Sequence, residues 1–169
     1  MISKLSSCAF TGHRPRSFSF GYREDSPEFC RLQERIRNTI VQVCNAGCRV
    51  FYCGMAEGVD LWCGEIVLNM REQFDPPLRI IPVVPFLAQP DHMTERNKQR
   101  YYRIMQASEE RYLVSRTFSR FCYRKRNQFL VDSADALIAV YREEEEHSGT
   151  AQTMRYAEQK QKRIFRIKV

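Results

Sequence analysis

Short apolar runs alternate with longer amphipathic segments along the whole sequence, and this alternation constrains the fold more than any other feature. The runs at 48–53 (CRVFYC), 79–84 (RIIPVV) and 136–141 (ALIAVY) are almost uninterrupted in apolar character. Such runs are typical of parallel strands, because both faces of a parallel sheet are covered. An antiparallel sheet with one solvated face would instead alternate apolar and polar residues.

Amphipathic segments separate these runs. Residues 27–44 carry an apolar side chain at every third or fourth position, which predicts a helix. Ser26 before Pro27 is a typical helix start, and Gly47 a typical stop. The same reasoning predicts helices at 57–71, 94–107, 117–132 and 150–161, and strands at 5–11, 111–114 and 163–169. We therefore expect one doubly wound α/β domain over residues 1–169, with a mostly parallel sheet and helices on both faces. The strand order stays open, and Pro82 is expected near a strand edge or end.

Composition excludes several classes of protein. Apolar residues make up 43% and charged residues 28%, with only 7 Gly and 7 Pro, which excludes collagen-like, low-complexity and wholly disordered chains. No window approaches the roughly 18 apolar residues of a membrane span. The first sixteen residues have too short an apolar stretch for a secretory signal. We expect a cytoplasmic protein with no membrane partner.

The seven cysteines form an odd set without a C-x-x-C pair, and the three histidines lie far apart. Reduced core thiols are expected, and no metal site. Lys and Arg number 27 against 20 Asp and Glu, a net charge of +7 that fits a phosphate-bearing partner, a nucleic acid or plain solubility. Arg116, Arg120 and Arg124 recur every four residues, as a phosphate-tracking stripe or a solubilising helix face would.

Three glycine-bearing turns follow predicted strands. They are Thr11-Gly12-His13-Arg14, the stretch Gly54-Met55-Ala56-Glu57-Gly58-Val59-Asp60, and Ser148-Gly149-Thr150. The carboxyl ends of parallel strands meet at one edge of a sheet, and helix N-termini there attract anions. The three turns therefore predict a phosphate or nucleotide cradle, although each glycine alone also fits a turn that needs positive φ. A P-loop and a G-x-G-x-x-G fingerprint are both missing, which disfavours a P-loop NTPase or a nicotinamide dehydrogenase.

Five segments together resemble the YpsA-like family, formerly a domain of unknown function, of the SLOG superfamily. They are FTGHRP (10–15), CGMAEGVD (53–60), IPVVPF (81–86), YRKRNQFLVDSADALIAVY (123–141) and SGTAQTMRYA (148–157). The superfamily also contains the Smf/DprA DNA-processing proteins and the LOG-type phosphoribohydrolases. The resemblance implies a Rossmann-like domain with a pocket for a nucleotide or nucleotide derivative at its strand ends.

The resemblance also implies which residues bind this ligand. They are Thr11, Gly12, His13, Arg14, Gly54, Met55, Ala56, Gly58, Asp60, Arg126, Asn127, Ser148, Gly149 and Thr150. Ser148, Gly149 and Thr150 would hold phosphate at a helix N-terminus. Asp60 would either stabilise the start of its helix or accept a hydrogen bond from a ribose hydroxyl. Arg126 and Asn127 match the family's Arg-Asn pair, although such residues also occur on solvated helix faces.

One departure bears on catalysis. LOG-type enzymes carry P-G-G-x-G-T-x-x-E, whose glutamate helps to cleave the N-glycosidic bond; here that position falls on Thr153. A threonine cannot act as a carboxylate base, so hydrolysis by the LOG mechanism is disfavoured. His13, Asp60 and Glu146 remain as acid or base candidates, although a run of four glutamates is also typical of a solvated loop.

Three functions follow as hypotheses. The first is a cytosolic domain that binds or senses a nucleotide, an NAD-derived or an ADP-ribose-like ligand, with no other cofactor firmly implied. The alternatives are a nucleotide-processing hydrolase and a DprA-like protein that binds single-stranded DNA; the oligomeric state, including a homodimer, stays open. Six aromatic residues are candidates for base stacking or for the core: Phe18, Phe20, Tyr22, Phe86, Tyr101 and Tyr102.

Overall fold

All six strands lie parallel in one sheet of the computed structural model, which describes residues 5–169. The strands are β1 (Ser7–Gly12), β2 (Val50–Cys53), β3 (Arg79–Phe86), β4 (Tyr112–Ser115), β5 (Ala136–Tyr141) and β6 (Arg163–Lys168). Their order is β4-β3-β2-β1-β5-β6. Strand β1 pairs with β2 on one side and with β5 on the other, so the order reverses between β1 and β5. Residues 1–4 of the predicted domain lie outside the described part of the chain.

Five helices cover the two faces of this sheet. They are α1 (Pro27–Asn45), α2 (Val59–Met70), α3 (Glu95–Gln106), α4 (Cys122–Ser133) and α5 (Gly149–Gln159). Helices α1, α2 and α3 pack beside one another in one hydrophobic cluster, whereas α4 and α5 pack together in a second cluster on the other face. The predicted doubly wound α/β fold is confirmed. The chain crosses from one face to the other in the connection from β4 to β5.

Strand residues alternate between these two clusters. Phe10 of β1 points into the first, where its ring stacks on that of Phe51 with centroids 5.5 Å apart. Its neighbour Ala9 points into the second cluster. At the start of α1, Ser26 Oγ accepts a hydrogen bond from the Phe29 backbone N–H at 3.1 Å, as the predicted cap requires.

The cysteines all fall within the described residues, and none forms a disulfide. Cys30 is exposed and the other six are buried, which agrees with the predicted core thiols for all but Cys30. Burial raises the pKa of Cys48 to about 12, so its thiol stays protonated at neutral pH. Residues 5–169 hold no group of three or more ligand-type side chains placed to bind a metal ion. In the same range no helix is both long and apolar enough to cross a bilayer.

The helix predicted at 117–132 begins only at Cys122, and residues 116–121 form bends and turns. The start of the predicted helix was wrong: Phe118 and Phe121 have helical spacing with the apolar residues that follow, but both are exposed. The proposed stripe of Arg116, Arg120 and Arg124 therefore does not lie on one helix, since only Arg124 belongs to α4.

Pro82 also departs from its expected position, since it lies in the middle of the interior strand β3. It pairs in register with Cys53 of β2, and the pairing with β4 begins at the next residue, Val83. The missing N–H thus falls where the strand changes neighbours.

Candidate functional site

A cavity of about 340 Å³ opens at the carboxyl ends of β1 and β5, where the strand order reverses. Open α/β sheets bind ligands at this point, because two neighbouring loops diverge there to opposite faces of the sheet. The lining residues are Phe10, Thr11, Gly12, His13, Arg14, Ser17, Ala56, Asp60, Tyr123, Arg126, Asn127, Glu145, Ser148, Gly149 and Thr150. The three glycine-bearing turns therefore meet around one cavity, together with the Arg-Asn pair of α4.

Gly54, Met55 and Gly58 do not line this cavity, in contrast to the expectation from the resemblance. Met55 adopts a φ of 62° and its side chain is fully buried in the core. Gly58, the N-cap of α2, has a φ of 91°, and a Cβ there would lie 2.5 Å from the His13 carbonyl oxygen. Both residues shape the turn from behind rather than presenting a group to a ligand.

Gly54 lies beneath a buried ion pair. Arg126 Nη1 donates a hydrogen bond to the Gly54 carbonyl and lies 3.3 Å from Asp60 Oδ2. A Cβ on Gly54 would overlap the Arg126 guanidinium and approach Asp60 Oδ2 to 2.7 Å. Glycine is therefore required at this position by the close approach of two side chains.

Asp60 and Arg126 form the charged floor of the cavity, each about 5% exposed. Asp60 Oδ2 also accepts a hydrogen bond from the Ala56 N–H at 3.2 Å, at the start of α2. Burial raises the pKa of Asp60, which the nearby Arg126 opposes, and burial lowers the pKa of Arg126. Within residues 5–169, no group donates a hydrogen bond to Asp60 Oδ1, so this carboxylate oxygen is left for a ligand. This geometry is compatible with both predicted roles of Asp60: stabilising the start of α2 and accepting a hydrogen bond from a ribose hydroxyl.

His13 uses both of its ring nitrogens within the protein. Nε2 accepts a hydrogen bond from the Arg142 backbone N–H at 3.1 Å, while Nδ1 lies 3.0 Å from Glu145 Oε2. An acceptor at Nε2 must be unprotonated, so the ring is neutral and carries its proton on Nδ1. Burial lowers the pKa of His13, against the opposing effect of Glu145, which agrees with this neutral form. His13 thus ties the turn after β1 to the loop after β5.

Arg14 supplies the unpaired positive charge of the site. Its side chain is exposed and makes no ion pair within the described residues. The guanidinium carbon lies 5.5 Å from the ring centroid of Tyr123, and that of Arg126 lies 5.8 Å from the same centroid. Tyr123 in turn contacts Phe86 and the 65% exposed Phe118 edge-on, with centroids 5.7 and 6.4 Å away. The cavity wall therefore continues outward as an aromatic surface.

The N-terminus of α5 also lines the cavity. Ser148 caps this helix by accepting a hydrogen bond from Ala151 N–H at 3.1 Å. The next two amides, of Gly149 and Thr150, belong to the first turn and so have no acceptor within the helix. A Cβ on Gly149 would meet nothing within 4 Å, and Ser148, Gly149 and Thr150 all line the cavity, so this end of the helix is open. Thr153, at the position of the LOG glutamate, is buried, and its hydroxyl donates to the Gly149 carbonyl at 2.7 Å.

Four lining residues were missed by the sequence analysis: Phe10, Ser17, Tyr123 and Glu145. Tyr123 lies three residues before Arg126, on the same side of a helix, so helical spacing could have identified it. Glu145 could not be distinguished within a run of four glutamates. Glu146, the residue named as a candidate instead, is exposed and does not line the cavity.

The other aromatic candidates divide between core and surface. Phe18 and Phe20 stack with centroids 5.0 Å apart and pack against Trp62, and the ring of Phe18 also lies edge-on to that of His13, 6.4 Å away. Tyr101 is buried, and Tyr22 and Tyr102 are exposed. Of the six candidates, Phe86 alone contacts the aromatic wall of the cavity.

A six-stranded parallel sheet with a polar cavity at its switch point defines a Rossmann-like domain of the kind that carries a ligand at its strand ends. Comparison with known families is more specific: the model described as the YspA SLOG family (YpsA) matches residues 8–169. The chain therefore belongs to the YpsA family of SLOG proteins.

Individual relatives agree with this assignment. The chain is similar to the UPF0398 protein YpsA of Bacillus subtilis, with 29% identity over 155 residues, which covers 87% of this chain and 84% of that protein. A UPF0398 protein of Bacillus cereus is 30% identical over 139 residues, or 80% of this chain and 74% of the relative. One from Bacillus licheniformis is 26% identical over 162 residues, 94% and 87% of the two chains. These names state no activity, so the comparison establishes the family and not the ligand.

Proposed function

We propose that this chain is a cytoplasmic domain that binds a nucleotide or nucleotide derivative, with an ADP-ribose-like compound as the expected type of ligand. One observation carries the proposal. The open N-terminus of α5 and the unpaired Arg14 lie on the same cavity, at the switch point of the sheet. Exposed amides at a helix N-terminus and a free guanidinium are the groups that bind phosphate.

The remaining lining residues suit the rest of such a ligand. Asp60 Oδ1 offers an acceptor for a ribose hydroxyl beside the phosphate-binding amides. Tyr123, which lines the cavity, and the exposed Phe118 next to it offer a surface on which a base can stack, with the buried Phe86 packed against both rings. The phosphate would thus contact α5, the sugar would contact α2, and the base would contact the region of α4.

The geometry favours binding over hydrolysis. Both nitrogens of His13 are engaged, so the ring has no free position for proton transfer. Thr153 donates its hydroxyl to the helix backbone and supplies no carboxylate. Asp60 is paired with Arg126, and Glu145 Oε2 lies 3.0 Å from His13 Nδ1, so each of these carboxylates already has a partner within the protein. Hydrolysis remains the alternative that the experiment below must address.

Binding is tested by isothermal titration calorimetry with AMP and ADP-ribose on the wild type, Gly149→Trp and Gly149→Ala. An indole at position 149 would fill the open space before the amides, so we expect the affinity to fall at least a hundredfold. The alanine variant is the matched control, because its Cβ meets no atom within 4 Å, and it should bind within about threefold of the wild type.

The same mixtures are then analysed by chromatography. Intact AMP and ADP-ribose after prolonged incubation would support a binding domain, whereas release of adenine or ribose 5-phosphate would favour the hydrolase. Absence of binding by the wild type, or equal binding by the tryptophan variant, would contradict the proposal.

A further inference from the structure

A second and larger cavity, of about 480 Å³, lies beside the first. Its walls come from the segment 16–20, the first half of α1, Arg142 and Val169. The volume falls in the range of roughly 300–1,000 Å³ that is usual for small-molecule sites. None of the residues that the family resemblance singled out lines it.

The charge of this second cavity is strongly positive. Arg16, Arg31, Arg35 and Arg142 line it, against a single carboxylate, Glu28. The pairing within this set is weak: Arg31 lies 3.5 Å from Glu28, with both side chains more than half exposed, and Arg142 lies 3.6 Å from Glu144 and 3.9 Å from Glu145. Exposed pairs of this kind contribute little and exchange readily with another anion.

Two of the four arginines have no partner at all. Within residues 5–169, Arg16 and Arg35 make neither an ion pair nor a side-chain hydrogen bond. Both guanidinium groups are therefore free to bind an anion that enters this cavity. A plain solubilising surface would spread such charges over a convex face, or pair them with nearby carboxylates.

The floor of the cavity is rigid and apolar. Phe18, Phe20 and Leu32 line it and are buried, and the two rings belong to the aromatic cluster around Trp62. A packed floor keeps the concave shape without a ligand, so binding would not first have to open the site. A ligand would contact these apolar groups from below and the arginines from the sides.

Arg142 and Ser17 separate the two cavities. Arg142 Nη1 donates a hydrogen bond to the Ser17 carbonyl at 2.6 Å, and Ser17 Oγ donates to Glu145 Oε2 at 3.4 Å. Ser17 lines both cavities, whereas the Arg16, Arg31 and Arg35 side chains belong to the second alone. The second cavity is therefore a neighbour of the proposed nucleotide site and not a part of it.

We propose that this arginine-lined cavity is a separate binding site for a small polyanion that carries two or more phosphate groups. Guanidinium groups bind phosphate oxygens in bidentate fashion, and several of them around one cavity suit a ligand with more than one phosphate group. The cavity is concave and bounded by segment 16–20, α1, Arg142 and Val169, which fits a small molecule better than a nucleic-acid strand that needs a continuous groove. This site goes beyond the proposed function and does not depend on it.

The probe for the test is inorganic tripolyphosphate, titrated by calorimetry at about physiological salt. The test variant is Arg16→Gln/Arg35→Gln, and the charge-matched control is Arg37→Gln/Arg116→Gln, which removes two exposed arginines outside both cavities. We expect at least a tenfold loss of affinity in the test variant and less than a twofold change in the control. Gly149→Trp, which blocks the first cavity, should retain tripolyphosphate binding.

Equal losses in the two double variants would overturn the proposal, because they would show attraction by net charge alone. Loss of tripolyphosphate binding in Gly149→Trp would also overturn it, since the probe would then occupy the nucleotide site. A twenty-nucleotide oligo-dT that binds more tightly than tripolyphosphate, and loses affinity in the same test variant, would replace the small-molecule site by a nucleic-acid surface. Failure of AMP binding, by contrast, would leave this proposal unaffected.

Discussion

The glycines around the first cavity fall into two groups that the sequence does not distinguish. At Gly12 and Gly54, an added Cβ would overlap protein atoms: the side chain of Val59 in one case and Arg126 in the other. At Gly149, an added Cβ would meet nothing. The turns after β1 and β2 are therefore glycine-rich because α2 and the Asp60–Arg126 pair pack closely against them. Only at α5 does a glycine leave space for something outside the protein.

We therefore expect the packed glycines to matter for the stability of the protein and the open glycine, Gly149, to matter for ligand binding. Substitutions in the turns after β1 and β2 should act on the free energy of unfolding, and those at α5 on binding.

The largest effect is expected for Arg126→Met. Removing one partner of a buried ion pair leaves the Asp60 carboxylate uncompensated, which typically costs about 3–5 kcal/mol of stability. Urea unfolding measures this loss. The double variant Arg126→Met/Asp60→Asn should recover part of it, because the asparagine removes the stranded charge. A loss of under about 1 kcal/mol in Arg126→Met would mean that the pair is not buried as described.

A smaller loss is expected for Gly12→Ala. The new methyl group would have to displace Val59 at the start of α2, and overpacking of this kind costs about 1–3 kcal/mol. The same substitution at Gly149 is the control: it should stabilise the protein by up to about 1 kcal/mol, since alanine restricts the unfolded chain without a clash. Similar changes in the two variants would remove the distinction between packed and open glycines.

The smallest effect concerns the pH dependence of stability through His13. Its pKa is lowered in the folded protein, so the unfolded chain takes up a proton first, near pH 6.5. The contribution of the neutral ring is therefore complete above that pH and is lost as the pH falls toward the folded pKa. Between pH 7.5 and 5.5 the wild type should lose more free energy of unfolding than His13→Gln, by less than about 1.4 kcal/mol. A larger loss in the glutamine variant would contradict the assignment of a neutral ring.

Much of the architecture could be predicted from the sequence because the apolar runs of β2, β3 and β5 are those of doubly covered strands. The meeting of three turns at one edge then follows from parallel strands. Strand order could not be predicted, since nothing local in the sequence specifies that β5 pairs with β1. The start of α4 was placed too early because Phe118 has the spacing of a core residue but lies on the surface.

The position of the site at the strand ends was predicted better than the individual residues that line it. Met55 and Gly58 occupy the turn but point away from the cavity, because a positive φ at each redirects the chain. Glu145 has three glutamate neighbours and only its contact with His13 distinguishes it. Such pairings depend on tertiary packing, which residue spacing does not encode.

The most direct test of the account is a ¹⁵N-resolved NMR titration of the wild-type chain with AMP. The account predicts that the backbone amides of Gly149 and Thr150 show the largest shift changes, because they would donate to the phosphate. It also predicts that the amide of Gly54 changes little, since Arg126 and Asp60 cover it. Saturating AMP that leaves the Gly149 and Thr150 amides unchanged would contradict the central claim that the open end of α5 holds a phosphate.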